Sequence, residues 1–125
     1  MRPSLRQLRE KTASGEKMPK PLVKAHAEVL WTSIRAHTTV EEPLLLLLKS
    51  QKSAQHALDE HEEIELLLKL AVQGGDQRVL HRAVRLILGH FFEEEQDVFP
   101  LAEKVLSPKK QADLAIEWLK SRGIR

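Results

Sequence analysis

Apolar residues recur along this chain at three- and four-residue steps, the spacing of one face of an α-helix, and no stretch alternates as a half-buried strand does. The first pattern is brief. Leu5 and Leu8, with Pro3 in a tolerated first-turn position, predict a short helix within 1–13 that only two leucines anchor, hence poorly docked. Ser14-Gly15 and the prolines at 19 and 21 break it, so 1–20 reads as a basic N-terminal segment and linker, and 21–125 as the folded body. A second helix is predicted from Pro21 to Leu48 on a stripe of Val23, Leu30, Ile34, Leu44, Leu45 and Leu48. Pro43 falls inside it, removing a backbone donor and crowding the Thr39 carbonyl. A kink is expected there, with the Thr38 and Thr39 hydroxyls available to the freed groups.

Three further helices follow. One is predicted over 53–73, opened by Ser53 as N-cap and stopped by Gly74-Gly75. Asp76 caps the next, over 77–105, with Pro100 bending its last turns. Ser107-Pro108 opens a final helix to Ser121 with Trp118 on its flank, and Gly123 stops it. Short connections imply antiparallel neighbours, so the fold class is all-α, an up-and-down four-helix bundle.

Polar residues interrupt three of the apolar stripes in the same way. His37 and Glu41 lie in line with Ile34 and Leu44, His61 and Glu65 with Leu58 and Leu68, and His90 and Glu94 with Ile87 and Val98. Residues four apart sit one above the other on a helix, so each pair faces the interior together. Buried charges need partners. A single pair is explained by a histidine bonded to its own carboxylate, but three pairs directed at one core point to a metal site. Imidazole and carboxylate donors suit iron, manganese or zinc, and opposed carboxylates such as Glu41 and Glu94 can bridge two ions. Ferritin-like sites use Glu-x-x-His, which is absent here.

The other histidines read differently. His56 and Glu60 lie about 140° round the helix from His61 and are expected to face solvent. His81 is on the opposite face from His90, and His26 lies about 16 Å along the axis from His37, too far to share a centre with it.

Composition narrows the chemistry. With no cysteine among 125 residues, disulfides, thiolate metal sites and cysteine nucleophiles are excluded. Neither a Gly-x-Ser-x-Gly elbow nor a phosphate-binding glycine loop is present. A net charge of +2 gives no reason to expect nucleic acid, although seven of the basic residues fall in 1–24. The longest apolar run, Pro43 to Leu48, is too short for a bilayer and no signal-type segment opens the chain, so a cytoplasmic protein without membrane association is expected.

The segment Ala36-His37-Thr-Thr-Val-Glu41-Glu42, together with Asp59-Glu-His61-Glu-Glu-Ile64 and His90-Phe-Phe-Glu-Glu94-Glu95-Gln-Asp-Val-Phe99-Pro100, resembles the hemerythrin family, in its HHE cation-binding branch. Leu106-Ser-Pro108 is similar to the family's usual continuation, and the likeness spans 22–110. The resemblance implies a bundle holding a non-haem di-iron centre that binds oxygen, or senses oxygen, nitric oxide or iron. It carries His37, Glu41, His61, His90 and Glu94 over as ligands, and places Glu65 where oxygen carriers have a second histidine. Two features depart from the family. Residues 1–25 contain no histidine, and Pro43 directly follows Glu42. A centre with one ion or an open position, or a structural bundle whose site has lapsed, are therefore the competing readings. An oxidase or peroxidase ranks behind them, because no acid–base pair accompanies the ligands. A weakly held first helix would leave core for a second copy to cover, giving a homodimer.

Overall fold

The computed structural model describes residues 4–14, 16–48, 52–98, 100, 104, 108 and 109. Four α-helices, α1 (Leu5–Ala13), α2 (Lys20–Leu47), α3 (Lys52–Gly74) and α4 (Gln77–Glu93), lead into a π-helical turn at Glu94–Val98. No strand occurs among the described residues. Helix α2 packs on α3, α3 on α4, and α1 on α4. Two residues join α3 to α4, so these run antiparallel. No helix among the described residues is long and apolar enough to cross a membrane.

The first helix docks firmly, against expectation. Ser4 closes a capping box: its hydroxyl accepts from Gln7 N–H at 3.1 Å, and its own N–H donates to Gln7 Oε1 at 2.9 Å. Leu5 and Leu8 are both buried and join the same core as residues of α2, α3 and α4, so the predicted division at residue 20 does not separate α1 from that core. The C-terminal end of α1 and the residues just after it are held by groups 59 to 69 residues away. Gln77 accepts from Met18 N–H at 2.7 Å, and its amide donates to the carbonyls of Thr12 at 3.0 Å and Glu16 at 3.3 Å. The Thr12 hydroxyl donates to Leu8 O at 2.8 Å, and its oxygen lies 2.8 Å from His81 Nδ1. His81 is thus a structural residue.

Several local expectations hold and others shift. Asp76 caps α4 by accepting from Arg78 N–H at 2.8 Å. Gly75, at φ 65°, terminates α3, and a Cβ there would come within 3.0 Å of Lys20 Cβ and 3.1 Å of its carbonyl. The turn between α3 and α4 therefore sits directly on the start of α2. Ser53 lies within α3, not at its cap. The assignment of α2 passes through Pro43 without a break. Thr38 and Thr39 donate to the Arg35 carbonyl at 3.2 and 2.7 Å, one turn before the carbonyl that Pro43 deprives of its donor. The α geometry of α4 is interrupted after Glu93 by a five-residue π register that begins at Glu94; beyond it Pro100 and Lys104, within the helix predicted to 105, are again α-helical. Of the final helix predicted to reach Ser121, Pro108 and Lys109 are described and are helical; Phe99 and the rest of that helix, with Trp118, lie outside the described residues.

Two apolar clusters form the core. The larger includes Leu5, Leu8, Val23, Ile34, Ile64 and Ile87; the smaller comprises Leu44, Leu45, Leu48, Ala54 and Ala57. Along α2 the switch from one to the other falls between Ile34 and Leu44, and along α3 between Ala57 and Ile64. The intervening layer is polar.

Removing a methylene-rich anchor from α1 tests its docking. Leu8→Ala should lower unfolding free energy by about 2–4 kcal/mol in urea titrations followed by circular dichroism. At the α3–α4 turn, Gly75→Ala should cost about 1–2 kcal/mol, because alanine resists positive φ. Gly74→Ala, whose Cβ would meet nothing within 4 Å, should be neutral or mildly stabilising, and an equal loss at both positions would refute this account.

Candidate metal centre

The polar layer is built from successive helical turns. In α2, His37 and Glu41 occupy the buried stripe between Ile34 and Leu44; in α3, Glu60 and His61 sit between Ala57 and Ile64; in α4, His90 follows Ile87, and Glu94 opens the π turn. All six are buried, His90 and Glu94 to 1% exposure and His37 to 2%. So deep a set of ionisable groups is expensive to dehydrate, and only close mutual pairing makes it tolerable.

Three imidazole Nε2 atoms converge with two carboxylates. His37 Nε2 lies 2.8 Å from Glu41 Oε2 and 3.4 Å from Glu94 Oε1. His61 Nε2 lies 3.1 Å from Glu41 Oε1 and 2.9 Å from His90 Nε2. His90 Nε2 lies 3.4 Å from Glu41 Oε1 and directly contacts Glu94 Oε1. His37, Glu41, His90 and Glu94 each offer a donor atom within 4.8 Å of the others. The two histidines at 4.6 Å between centroids meet edge to face, so their nitrogens, not their ring faces, approach.

This crowding leaves lone pairs without protons to share. A single proton on His90 Nε2 can satisfy one of His61 Nε2, Glu41 Oε1 and Glu94 Oε1, not all three. Glu94 Oε2 and His61 Nδ1 are buried without a hydrogen-bond partner, and Glu41 Oε2, though ion-paired with His37, is off the axis of a hydrogen bond. Buried polar atoms are rarely left so. One cation among these donors would satisfy several of them together, so the donor set fits a metal.

The protonation pattern has the same origin. Burial alone would lower the pKa of His37, but the Glu41 and Glu94 carboxylates more than reverse it and raise it to about 9. For His90 burial is likewise overcome, by Glu41, Glu60 and Glu94, which raise the value to about 11. Burial would raise Glu41, yet the imidazoles of His37, His61 and His90 against it hold it far below the usual carboxylate range. Glu94 is pushed up by burial, and the Glu41 carboxylate beside it outweighs part of the help from His37 and His90. Without metal, two imidazolium protons thus stand where a dication's charge would serve.

Five of the six ligands expected from sequence come together here. The sixth does not: Glu65 is exposed. Its place in the layer is taken by Glu60, which was expected in solvent but is buried, with Oε1 3.1 Å from His90 Nδ1. The reason is the position of the buried arc of α3. A stripe drawn through Leu58, Glu65 and Val72 runs along its edge, since Leu58 and Val72 are only half-buried. The arc is centred near Ile64, about 80° away, because α3 packs against both α2 and α4. Ile64, Leu67 and Ala71, taken together, were the signal for it. Glu60 accepts a hydrogen bond from His90 Nδ1–H and so fixes Nε2 toward the layer, the usual arrangement behind a histidine ligand. His56 is exposed as expected, and His26, near Lys11, is partly buried, with its pKa lowered by burial and by that lysine.

The sign of the pH dependence follows from the histidines. Their folded pKa values lie above the ordinary 6.5, so the stabilisation they carry is complete below about pH 6.5 and is lost as pH rises through about 9 for His37 and about 11 for His90. The melting temperature of metal-free protein should therefore fall between pH 6.5 and 10; a rise over that range would contradict the network described.

No family model, no curated protein and no solved structure matches the chain.

Proposed function

We propose that this chain is a hemerythrin-like, non-haem iron-binding module that binds or senses oxygen, nitric oxide or iron itself. The observation that carries this reading is the convergence of three buried Nε2 atoms and two buried carboxylates, with Glu94 Oε2 left unpaired. His37, His61 and His90 would supply the nitrogen ligands. Glu41 and Glu94 would supply oxygens, and a pair of opposed carboxylates suits a bridge between two ions as well as terminal ligation of one. A ferrous centre supplies a reducing site with affinity for diatomic molecules.

The chain's own residues do the rest. Glu60 orients His90, as a carboxylate behind a ligating imidazole does. Ile34 and Ile64 on one side and Leu44, Leu45 and Ala57 on the other exclude water from the layer. His37 and His90 hold protons that a metal would displace, so affinity should rise with pH, opposite to the stability of the metal-free protein.

A second reading has its own observation. Helix α1, Leu5–Ala13, brings no histidine or aspartate to the layer, and the histidine–carboxylate pairs partly satisfy one another. A bundle kept for its surface, with an incomplete site, would be metal-free and indifferent to chelators.

Metal analysis after anaerobic reconstitution with ferrous iron decides between them. One or two ions per chain should be retained through desalting, with a near-ultraviolet band on admission of air if two are present. Loading at pH 7 should release about one proton from each of His37 and His90. His90→Ala should lose the metal while keeping its helical spectrum, Glu60→Gln should weaken binding on the order of 10–100-fold, and Glu65→Gln should change nothing. Folded protein that takes up no ion would favour the structural bundle.

A further inference from the structure

Next to the buried layer, on the α3–α4 side, a pocket of about 160 Å³ opens to solvent. Its rim carries His56 from α3 and Glu93 and Asp97 from the end of α4 and the π turn; its floor is Glu60, His90 and Glu94. His56 Nε2 lies 3.1 Å from Glu93 Oε2 and 3.7 Å from Glu60 Oε1. Donor atoms of His56, Glu60 and Glu93 lie within 4.8 Å of one another, and among the described residues neither lysine nor arginine lines the pocket. Three glutamates and an aspartate against two imidazoles leave an excess of carboxylate that favours a bound cation.

A cluster of surface acids alone would mean little. Here the floor adds an independent feature: Glu94 is 1% exposed, and its Oε2 has no hydrogen-bond partner. One carboxylate thus has Oε1 in the buried layer and a vacant oxygen, while its side chain also forms part of the pocket. Glu60 has a similar double role, touching His90 Nδ1 at 3.1 Å with the same oxygen that faces His56. The two donor groups are therefore separated by the width of a side chain.

We propose that His56, Glu60 and Glu93 form a second, solvent-open divalent-cation site, which captures metal and passes it to the buried centre past Glu60 and Glu94. As a loading station it rests on the metal-binding reading above; as a cation site it does not. Imidazole with two carboxylates suits a borderline divalent ion such as Fe²⁺, Co²⁺ or Zn²⁺ better than Ca²⁺. The open setting keeps it weaker than the buried centre, as release inward requires.

Co²⁺ serves as the probe. Equilibrium dialysis would count bound ions, and stopped-flow absorbance would follow filling of the centre. The double variant His56→Ala/Glu93→Gln would be compared with the intact protein and with Glu63→Gln, an exposed acid elsewhere on α3. The side chains of His56 and Glu93 are 59% and 43% exposed, so replacing them should leave the fold intact. The double variant should keep its tightly held metal, lose one weakly held equivalent and fill at least threefold more slowly, while Glu63→Gln fills normally. Equal filling rates and equal weak binding in the intact protein and the double variant would overturn the proposal, as would equal slowing in Glu63→Gln. If the intact protein holds a weak ion that broadens the His56 resonances but fills no tight site, the buried-centre reading falls and the surface site stands.

Discussion

Six ionisable side chains buried in one layer set the terms for everything else in this structure. Removing them from water is unfavourable, and they are tolerable only where each faces an opposite partner at hydrogen-bond distance. That demand fixes the register of three helices. Sliding α2 by one turn along α3 would carry Glu41 away from His61, and turning α4 would separate His90 from Glu60. Apolar stripes alone would permit such shifts, since leucine and isoleucine pack acceptably in several registers. The polar layer selects one arrangement, and it leaves too many acceptors for the available protons.

The α3–α4 face shows how two neighbours share the work. His61 points to α2 and meets Glu41, while Glu60, one residue earlier, meets His90 on α4. Adjacent residues on a helix differ by about 100°, so together the pair reaches both α2 and α4. The dipeptide Glu60-His61 is therefore the joint of the layer. At the opposite end, Gln77 and His81 fasten α1, so that helix is secured by the start of α4 as well as by its own two leucines.

Much of this was legible in the sequence. Gly74-Gly75 and Asp76 marked a helix stop and a helix cap at the residues where the structure has them, and His37, Glu41, His61 and His90 stood in line with Ile34, Leu44, Leu68 and Ile87, which are buried core. What was not legible depends on contacts distant in sequence. The exchange of Glu65 for Glu60 required knowing that α3 has two neighbours; from one helix alone, Leu58 and Val72 look as much like core as Ile64 does. The docking of α1 hangs on Gln77, whose bonds to Thr12, Glu16 and Met18 have no local signature. The π turn is not announced either, although Pro100, with no N–H and a ring that crowds the carbonyl at Gln96, puts the loss of α register in that region.

The division of the apolar core has a dynamic consequence. Among the described residues, fifteen buried side chains form one cluster and five the other, and the polar layer lies between them. Leu44 and Leu45 lie within four residues of Glu41 on α2, and Ala57 lies four residues before His61 on α3, so any opening of the smaller cluster loosens the partners of the layer with it. An ion held in the layer would stabilise its closed form by mass action. Its presence would thereby be felt in the packing of Leu44, Leu45 and Ala57, residues that offer the layer no ligand atom.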